Sequence, residues 1–532
     1  MTEYLLLAAV VILICVILNR LTSRIGIPML LAFILLGMLF GSDGLVRISF
    51  DNYALAGKVC SAALIFIMFY GGFGTKWSAA RPVALKALLL SSLGVVFTAG
   101  LTGLFCHFVL GFGWLESMLL GSVVGSTDAA SVFSILRSRR LNLRDGTASL
   151  LELESGSNDP VSYMLTIIVL SAMRGDLSGG KLLYLIFAQL VYGAVCGVII
   201  ALAALWLLRK IHFMTAGFDT IFVLAIALLA YAVPMAFGGN GYLSAYLAGI
   251  LMGNRPIQNK RAMVNFFDSL TGLMQMLIFF LLGLLATPSC LPGVLLPALL
   301  AALFLTLAAR PLAVTALLSL FHCSRGQQLL VSWAGLRGAA SIVFAILAVL
   351  NPAGTEHDLF HMVFCIVLFS ILLQGSLLPR VAQHLGMIDA RADVLRTFTD
   401  YTDEVPVQSI RLDITEGHPW AGKAVRDLLL PPDTLLVLLQ RGDQRTAPRG
   451  DTVVEEGDCL VLIAKAAGKT EGIRLTETIL DAGHEWVGKT VAEVELEPEQ
   501  LIAMVLRSGE LILPSGFTDL QENDVLVISR PR

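Results

Sequence analysis

From Met1 to about Ala390, long apolar runs follow one another with only short charged or Gly/Pro-rich breaks between them. From Arg391 onward the segments are short, mixed and charged. About 20 apolar residues of helix are needed to cross hydrocarbon. The runs predict about thirteen helices, at residues 4–19, 28–41, 57–75, 82–109, 114–136, 158–173, 181–208, 217–237, 240–253, 266–286, 293–321, 327–350 and 358–379. Several are too short to cross untilted, as in transporters whose broken helices meet at the bilayer midplane. The first run, Tyr4 to Leu18, lacks a basic leader and a small-residue cleavage site, so it reads as a retained helix.

The polar breaks set orientation, because cytoplasmic loops concentrate Lys and Arg. Loops after odd-numbered predicted helices hold Arg20, Arg24, Lys76, Arg81, Arg137, Arg139, Arg140, Arg144, Arg209, Lys210, Arg255, Lys260, Arg261 and Arg325. Loops after even-numbered ones hold only Arg47, Lys58, Arg174 and Lys181. The bias predicts an outside N-terminus and a cytoplasmic C-terminal tail.

The tail repeats itself. GHPWAGKAV from Gly417 recurs as GHEWVGKTV from Gly483, and the same offset aligns Leu435 with Leu501, Arg441 with Arg507, Pro448 with Pro514, Gly450 with Gly516 and Asp458 with Asp524. Each copy predicts a short helical piece, a β-rich segment (LLVLLQRG, LIAMVLRSG), a P-x-G turn and a final strand (CLVLIA, VLVISR). The expected organisation is a transmembrane domain at 1–390, a linker at 391–402, and two small α+β domains at 403–467 and 468–532, pairing in tandem or across a dimer.

Composition agrees with two regions in two solvents. Of the 532 residues, 56% are hydrophobic and 14% charged, against about 25% charged in an ordinary soluble protein. The net charge of -3 leaves no basic stripe, so no nucleic-acid partner is expected. The cysteines Cys15, Cys60, Cys106, Cys196, Cys290, Cys323, Cys365 and Cys459 form no C-x-x-C pair and read as small hydrophobes rather than a metal or disulfide framework.

Ionisable groups inside hydrocarbon are costly and are functional candidates by default. They concentrate in two adjacent predicted helices. The fifth holds GSVVGSTDAASVFSIL, where Gly125, Ser126 and Thr127 precede Asp128 and can unwind the helix to expose carbonyls. The sixth opens with LELESGSNDPVSYML, carrying Glu152, Glu154, Ser155, Asn158 and Asp159 ahead of Pro160, which removes an amide donor and frees a carbonyl. A hard monovalent cation needs oxygen ligands, and a carboxylate held away from water lets a proton compete with that cation for one site. Asp159 is the expected exchange group. Asp128 has the alternative role of a helix cap or packing glue, and Asp159 that of an N-terminal cap. Glu154 needs a counter-charge, and Arg337 in WAGLRGAASIVF is the expected partner, as structural support. Gly71-Gly72 and Gly238-Gly239 read as close packing or turns. His357 and His361, at i, i+4, imitate a metal pair but read as surface histidines.

On GSTDAASVFSIL, LELESGSNDP, YLAGILMGNRPI and GLRGAASI, in order over about 380 residues, the chain resembles the cation:proton antiporter-1 family, and within it the bacterial NhaP-type potassium/proton antiporters. The resemblance implies thirteen helices in two inverted six-helix repeats flanking the seventh, broken fifth and twelfth helices, a homodimer and a bacterial inner membrane. It also implies that Asp159 binds ion and proton beside Asn158, that Thr127, Asp128 and Ser155 are accessory ligands, and that Glu154 and Arg337 form a stabilising pair. Asn-Asp in place of Asp-Asp implies electroneutral exchange. Tyr70 stands where relatives often carry an acid in the third helix, and GLRGAAS replaces the commoner GLRGAVP. The tail resembles TrkA-C domains, the C-terminal half of domains that regulate potassium conductance, which dimerise and bind small ligands such as cyclic di-AMP. No G-x-G-x-x-G follows a strand there, so no Rossmann module is expected.

The expected function is proton-driven antiport of potassium, with sodium as the other candidate ion. A tail-gated cation channel is the main alternative, but no T-V-G-Y-G-like filter is present. A membrane sensor that transports nothing leaves two buried aspartates unexplained, and no catalytic serine, cysteine or metal constellation points to an enzyme.

Overall fold

In the computed structural model, the described residues are 9–17, 29–138, 141, 143–210, 217–257, 259–351, 355–388, 407–415, 418–430, 434–442, 444–446, 448–465, 473–480, 484–494, 496, 501–507, 510–512, 514–522 and 524–531. The predicted linker, Arg20, Arg24, Arg139, Arg140, Gly417 and Gly483 lie outside them. The chain divides into two compact units, Met1–Thr402 and Asp403–Arg532.

The first unit is helical. Residues 9–17 form a helix, followed by α1 Met29–Phe40, α2 Tyr53–Gly74, α3 Trp77–Phe108, α4 Trp114–Val123, α5 Ala129–Ser138, α6 Thr147–Met173, α7 Gly179–Lys210, α8 Phe218–Ala236, α9 Gly241–Gly253, α10 Lys260–Leu285, α11 Pro288–Phe321, α12 Arg325–Trp333, α13 Ala339–Val349 and α14 Leu359–His384. Among the described residues, 7 of these are long and apolar enough to cross a membrane unaided. The apolar runs predict their centres well and their ends less well.

Local polar residues start several helices. Asn52 caps α2 by accepting from the Leu55 amide, Asn240 caps α9 by accepting from Leu243, and Ser324 caps α12 by accepting from Gln327. The largest departure from expectation is α6. It starts at Thr147 rather than 158 and passes through Pro160 without breaking, so Asp159 is helix interior and not a cap. A proline inside a helix removes the donor to the carbonyl four residues earlier, here Gly156; Asn240 Nδ2 donates to the Pro160 carbonyl over 2.8 Å and ties α6 to the start of α9.

Hydrocarbon supplies no hydrophobic drive between helices, so close packing depends on small residues. A Cβ on Gly283 would stand 2.1 Å from the Ile34 carbonyl oxygen, and one on Gly72 2.1 Å from that of Tyr246. Those glycines lock α10 to α1 and α2 to α9. Gly238 instead makes a turn, at φ +76°.

The second unit holds two antiparallel four-stranded sheets. The strands are β1 Val407–Asp413, β2 Thr434–Arg441, β3 Gln444–Thr446, β4 Cys459–Lys465, β5 Ile473–Ile479, β6 Leu501–Arg507, β7 Glu510–Ile512 and β8 Val525–Pro531. The orders are β1-β4-β2-β3 and β5-β8-β6-β7. The repeat seen in the sequence reaches the register: β2 shifts against β4 between Leu436 and Leu438, and β6 against β8 between Ile502 and Met504. Leading strands β1 and β5 and the short β3 and β7 were not among the predicted elements.

Candidate cation site between two broken helices

Helices α4 and α5 are halves of one broken helix, with residues 124–128 unwound between them. Helices α12 and α13 are halves of another, with 334–338 unwound. Gly125, Ser126, Thr127 and Asp128 disfavour helix at the first break, and Gly335 and Gly338 at the second, through backbone freedom at Gly and side-chain competition for backbone groups at Ser and Asp. The breaks touch directly: the Asp128 amide donates to the Leu336 carbonyl over 2.8 Å. Gly338 permits the approach, because a Cβ there would lie 2.0 Å from Asp128 Oδ2.

Unwinding leaves carbonyls without helical partners, and Arg337 takes two of them. Its Nη1 donates to Gly125 O at 2.8 Å and to Ser126 O at 2.5 Å, where a guanidinium complements the negative end of half-helix α4. The Arg337 amide donates to Ser370 Oγ over 3.0 Å, and Ser370 opens a π-helical turn, Ser370–Gly375, inside α14.

Helix α6 lies across the first break with one polar face. Ser155 Oγ donates to Thr127 O at 2.5 Å, Asn158 Nδ2 donates to Thr127 Oγ1 at 2.6 Å, and Ser162 Oγ donates to Ser122 O. These residues are three and four positions apart, which places them on one helical stripe. Thr127, Ser155 and Asn158 are therefore joined in space. Asp128 accepts from Ser131 N at 3.3 Å and Ser131 Oγ at 2.5 Å, so it caps α5, and it also lies within electrostatic reach of Asp159. Asp128 is thus the helix cap named as its alternative role.

Two acceptors here lack partners: among the described residues, no donor reaches Asp159 Oδ1 or Asn158 Oδ1, both shielded from solvent. An unmatched buried acceptor costs about 1–3 kcal/mol, more when charged. An oxygen-lined place that leaves one carboxylate oxygen without a donor favours a cation or a proton there.

The expected Glu154–Arg337 pair is corrected. Glu154 Oε1 instead accepts from Arg310 Nη2 at 2.5 Å, with both side chains buried. Arg310 was overlooked because it lies inside the apolar run 293–321. A single basic residue inside such a run is itself a signal. It follows directly on a π-helical turn, Leu305–Ala309. Tyr70 donates to Asp268 over 3.1 Å and stacks on Phe267 in an aromatic cluster, so it is tied to α10. His357 lies before α14 begins and does not pair with His361: His357 Nδ1 meets Glu116 Oε2 at 2.9 Å, while His361 Nδ1 meets Asp358 Oδ2 at 2.6 Å. Of the cysteines, Cys15, Cys60, Cys106 and Cys365 are buried and Cys290 is exposed.

A family model described as sodium/hydrogen exchanger, transmembrane, matches residues 9–384, and one described as TrkA-C domain matches 410–468 and 475–530. The K(+)/H(+) antiporter NhaP2 of Shewanella oneidensis is 34% identical over 473 residues, covering 87% of this chain and 81% of that protein. The K(+)/H(+) antiporter NhaP of Alkalimonas amylolytica is 34% identical over 466 residues, with the same shares. The probable Na(+)/H(+) antiporter 2 of Methanocaldococcus jannaschii is 28% identical over 316 residues, 56% of this chain and 73% of it. The solved structure of the sodium proton antiporter MjNhaP1 from the same organism superposes with a TM-score of 0.63 at 22% identity, over 71% of this chain and 97% of that one, which is a likeness of fold.

Proposed function

The chain belongs to the sodium/hydrogen exchanger family and carries two TrkA-C domains, and from that premise we propose that it exchanges a monovalent cation for protons across the membrane, with Asp159 as the group both occupy in turn. The observation that carries this reading is the pair of buried, unpartnered acceptors, Asp159 Oδ1 and Asn158 Oδ1, beside two crossing helix breaks. A cation bound at Asp159 is completed by Asp128, Ser155 and oxygens of Thr127, all drawn from the first break and the facing stripe of α6. A proton on Asp159 removes the charge that holds the cation. A protein that changes its open side only when this group is occupied must then trade one for the other.

Potassium is the favoured ion, because the relatives matched over most of the chain are named for it. One titrating carboxylate, with Asn158 beside it in place of a second acid, supports one proton per ion and electroneutral exchange. The carbonyls capped by Arg337 and the Glu154–Arg310 pair hold the breaks in place while the ion changes. The protein works as a homodimer in a bacterial inner membrane, N-terminus outside, and the cytoplasmic tail regulates it by binding a small ligand, cyclic di-AMP being the first to try.

The test is proton flux into liposomes holding the purified protein, read by an internal pH-sensitive dye, on adding potassium, sodium or lithium salts. Cation-dependent pH change that vanishes in Asp159→Asn is the expected result. Retained exchange in that variant overturns the assignment, and cation flux without proton movement turns the reading to a channel.

A further inference from the structure

The histidine that failed to make a metal pair with His361 stands in a different cluster. Glu116 in the first turn of α4, and Glu356 and His357 just ahead of α14, place their ligand atoms within 4.8 Å of one another. Glu116 is 6% exposed, yet among the described residues no Lys or Arg pairs with it. Both its oxygens are held by one residue: the His357 amide donates to Oε1 at 2.8 Å and the ring Nδ1 meets Oε2 at 2.9 Å. The ring itself is fixed by stacking on Phe112 at 4.0 Å. His361, by contrast, has both ring nitrogens committed, to Asp358 and to the Thr287 amide, so it contributes nothing here.

We propose that Glu116, Glu356 and His357 form a binding site for a first-row divalent cation such as Zn²⁺, tying the start of half-helix α4 to the approach to α14. One imidazole nitrogen and two carboxylate oxygens suit a borderline divalent ion, and three protein ligands leave a fourth position to water. Bonds of about 2.0–2.1 Å in a tetrahedron set neighbouring ligand atoms about 3.3–3.4 Å apart. Nδ1 and Oε2, at 2.9 Å, need only a few tenths of an ångström of widening. Exposed Glu356 swings in to complete the set. Metal binding at Nδ1 displaces the contact between Nδ1 and Oε2, and the neutral ring then carries its one hydrogen on Nε2. The His357 amide on Oε1 remains as the group that orients Glu116.

The consequence reaches the exchange region, because α4 ends at the carbonyls that Arg337 holds. Fixing the far end of that half-helix is expected to slow exchange. Binding is measured without transport, so its failure leaves the antiport reading intact, and failure of antiport leaves the metal site testable. The experiment is Zn²⁺ titration calorimetry on the purified full chain, with Co²⁺ absorption as the second readout, for wild type, His357→Ala and Glu356→Gln. These variants alter partly or fully exposed side chains and leave buried Glu116 in place. One site is expected in wild type, weakened at least tenfold in both variants, with Co²⁺ bands free of thiolate charge transfer. No binding in wild type, equal binding in wild type and His357→Ala, or a thiolate signature would each overturn the proposal.

Discussion

Charged groups are buried in both units, and the two units treat them in opposite ways. In the tail, Asp458 accepts from Arg441 Nε and Nη2 and from the Glu455 amide. Asp524 accepts from Arg507 Nε and Nη2 and from the Gln521 amide. Each carboxylate is surrounded by donors and the arrangement is copied from one repeat to the next, as a purely architectural device would be. In the membrane unit the buried groups are left short: among the described residues, Asp159 Oδ1, Asn158 Oδ1, Glu154 Oε2, Arg310 Nε and Nη1 and Arg337 Nε have no hydrogen-bond partner. A protein that transports a cation must leave acceptors for it, and a site satisfied like Asp458 would give the ion nothing to gain.

Substitutions can break or sharpen this contrast. The largest effect is expected at Asp159→Asn, which keeps shape but removes the charge. Cation-dependent proton flux should fall to the level of protein-free liposomes while the thermal unfolding curve in detergent barely moves. A large loss of stability would move Asp159 into the architectural class with Asp458. Next comes Arg310→Met, which strands buried Glu154 and should cost about 3–5 kcal/mol by thermal or denaturant unfolding. The double variant Arg310→Met/Glu154→Gln should recover most of that, because no uncompensated charge remains. Equal losses in single and double variants would show that packing, and not charge, is what Arg310 supplies.

A smaller effect is expected at Gly338→Ala, whose methyl group collides with Asp128. Forcing an extra carbon into a packed place costs about 1–3 kcal/mol, and here it pries the two breaks apart, so exchange rate should fall further than stability. The smallest effect is expected in the tail on acidification. Hydrogen bonds from Arg441 and Arg507 hold the Asp458 and Asp524 carboxyls below the usual carboxylate range. A depressed carboxylate contributes stability that is complete above its unfolded pKa of about 3.9 and is lost as pH falls through the lower folded value. Hydrogen exchange of β4 and β8 in the full chain should therefore stay slow down to about pH 4 and quicken below it. Quickening already near pH 6 would contradict that sign.

Relatives were recognisable from the motifs alone, because GSTDAAS and SGSNDP each crowd acids and hydroxyls into an apolar run, and those same residues make up the proposed cation site. The partner of Arg310 was not legible, since a lone arginine in an apolar run signals a role but says nothing of what lies opposite. The choice between Arg310 and Arg337 as the partner of Glu154 turns on which helix crosses where, and spacing along the chain does not encode it.

The chain by itself determined its two solvents, its helical runs, the repeat in the tail and the residue types needed for cation and proton to compete, because each follows from composition and period along one segment. Only the tertiary structure decided that the two breaks meet at Asp128 and Leu336, that Arg337 caps carbonyls while Arg310 neutralises Glu154, and that Glu116 finds His357. These depend on contacts between segments distant in the chain, fixed by small-residue packing whose geometry no single segment carries.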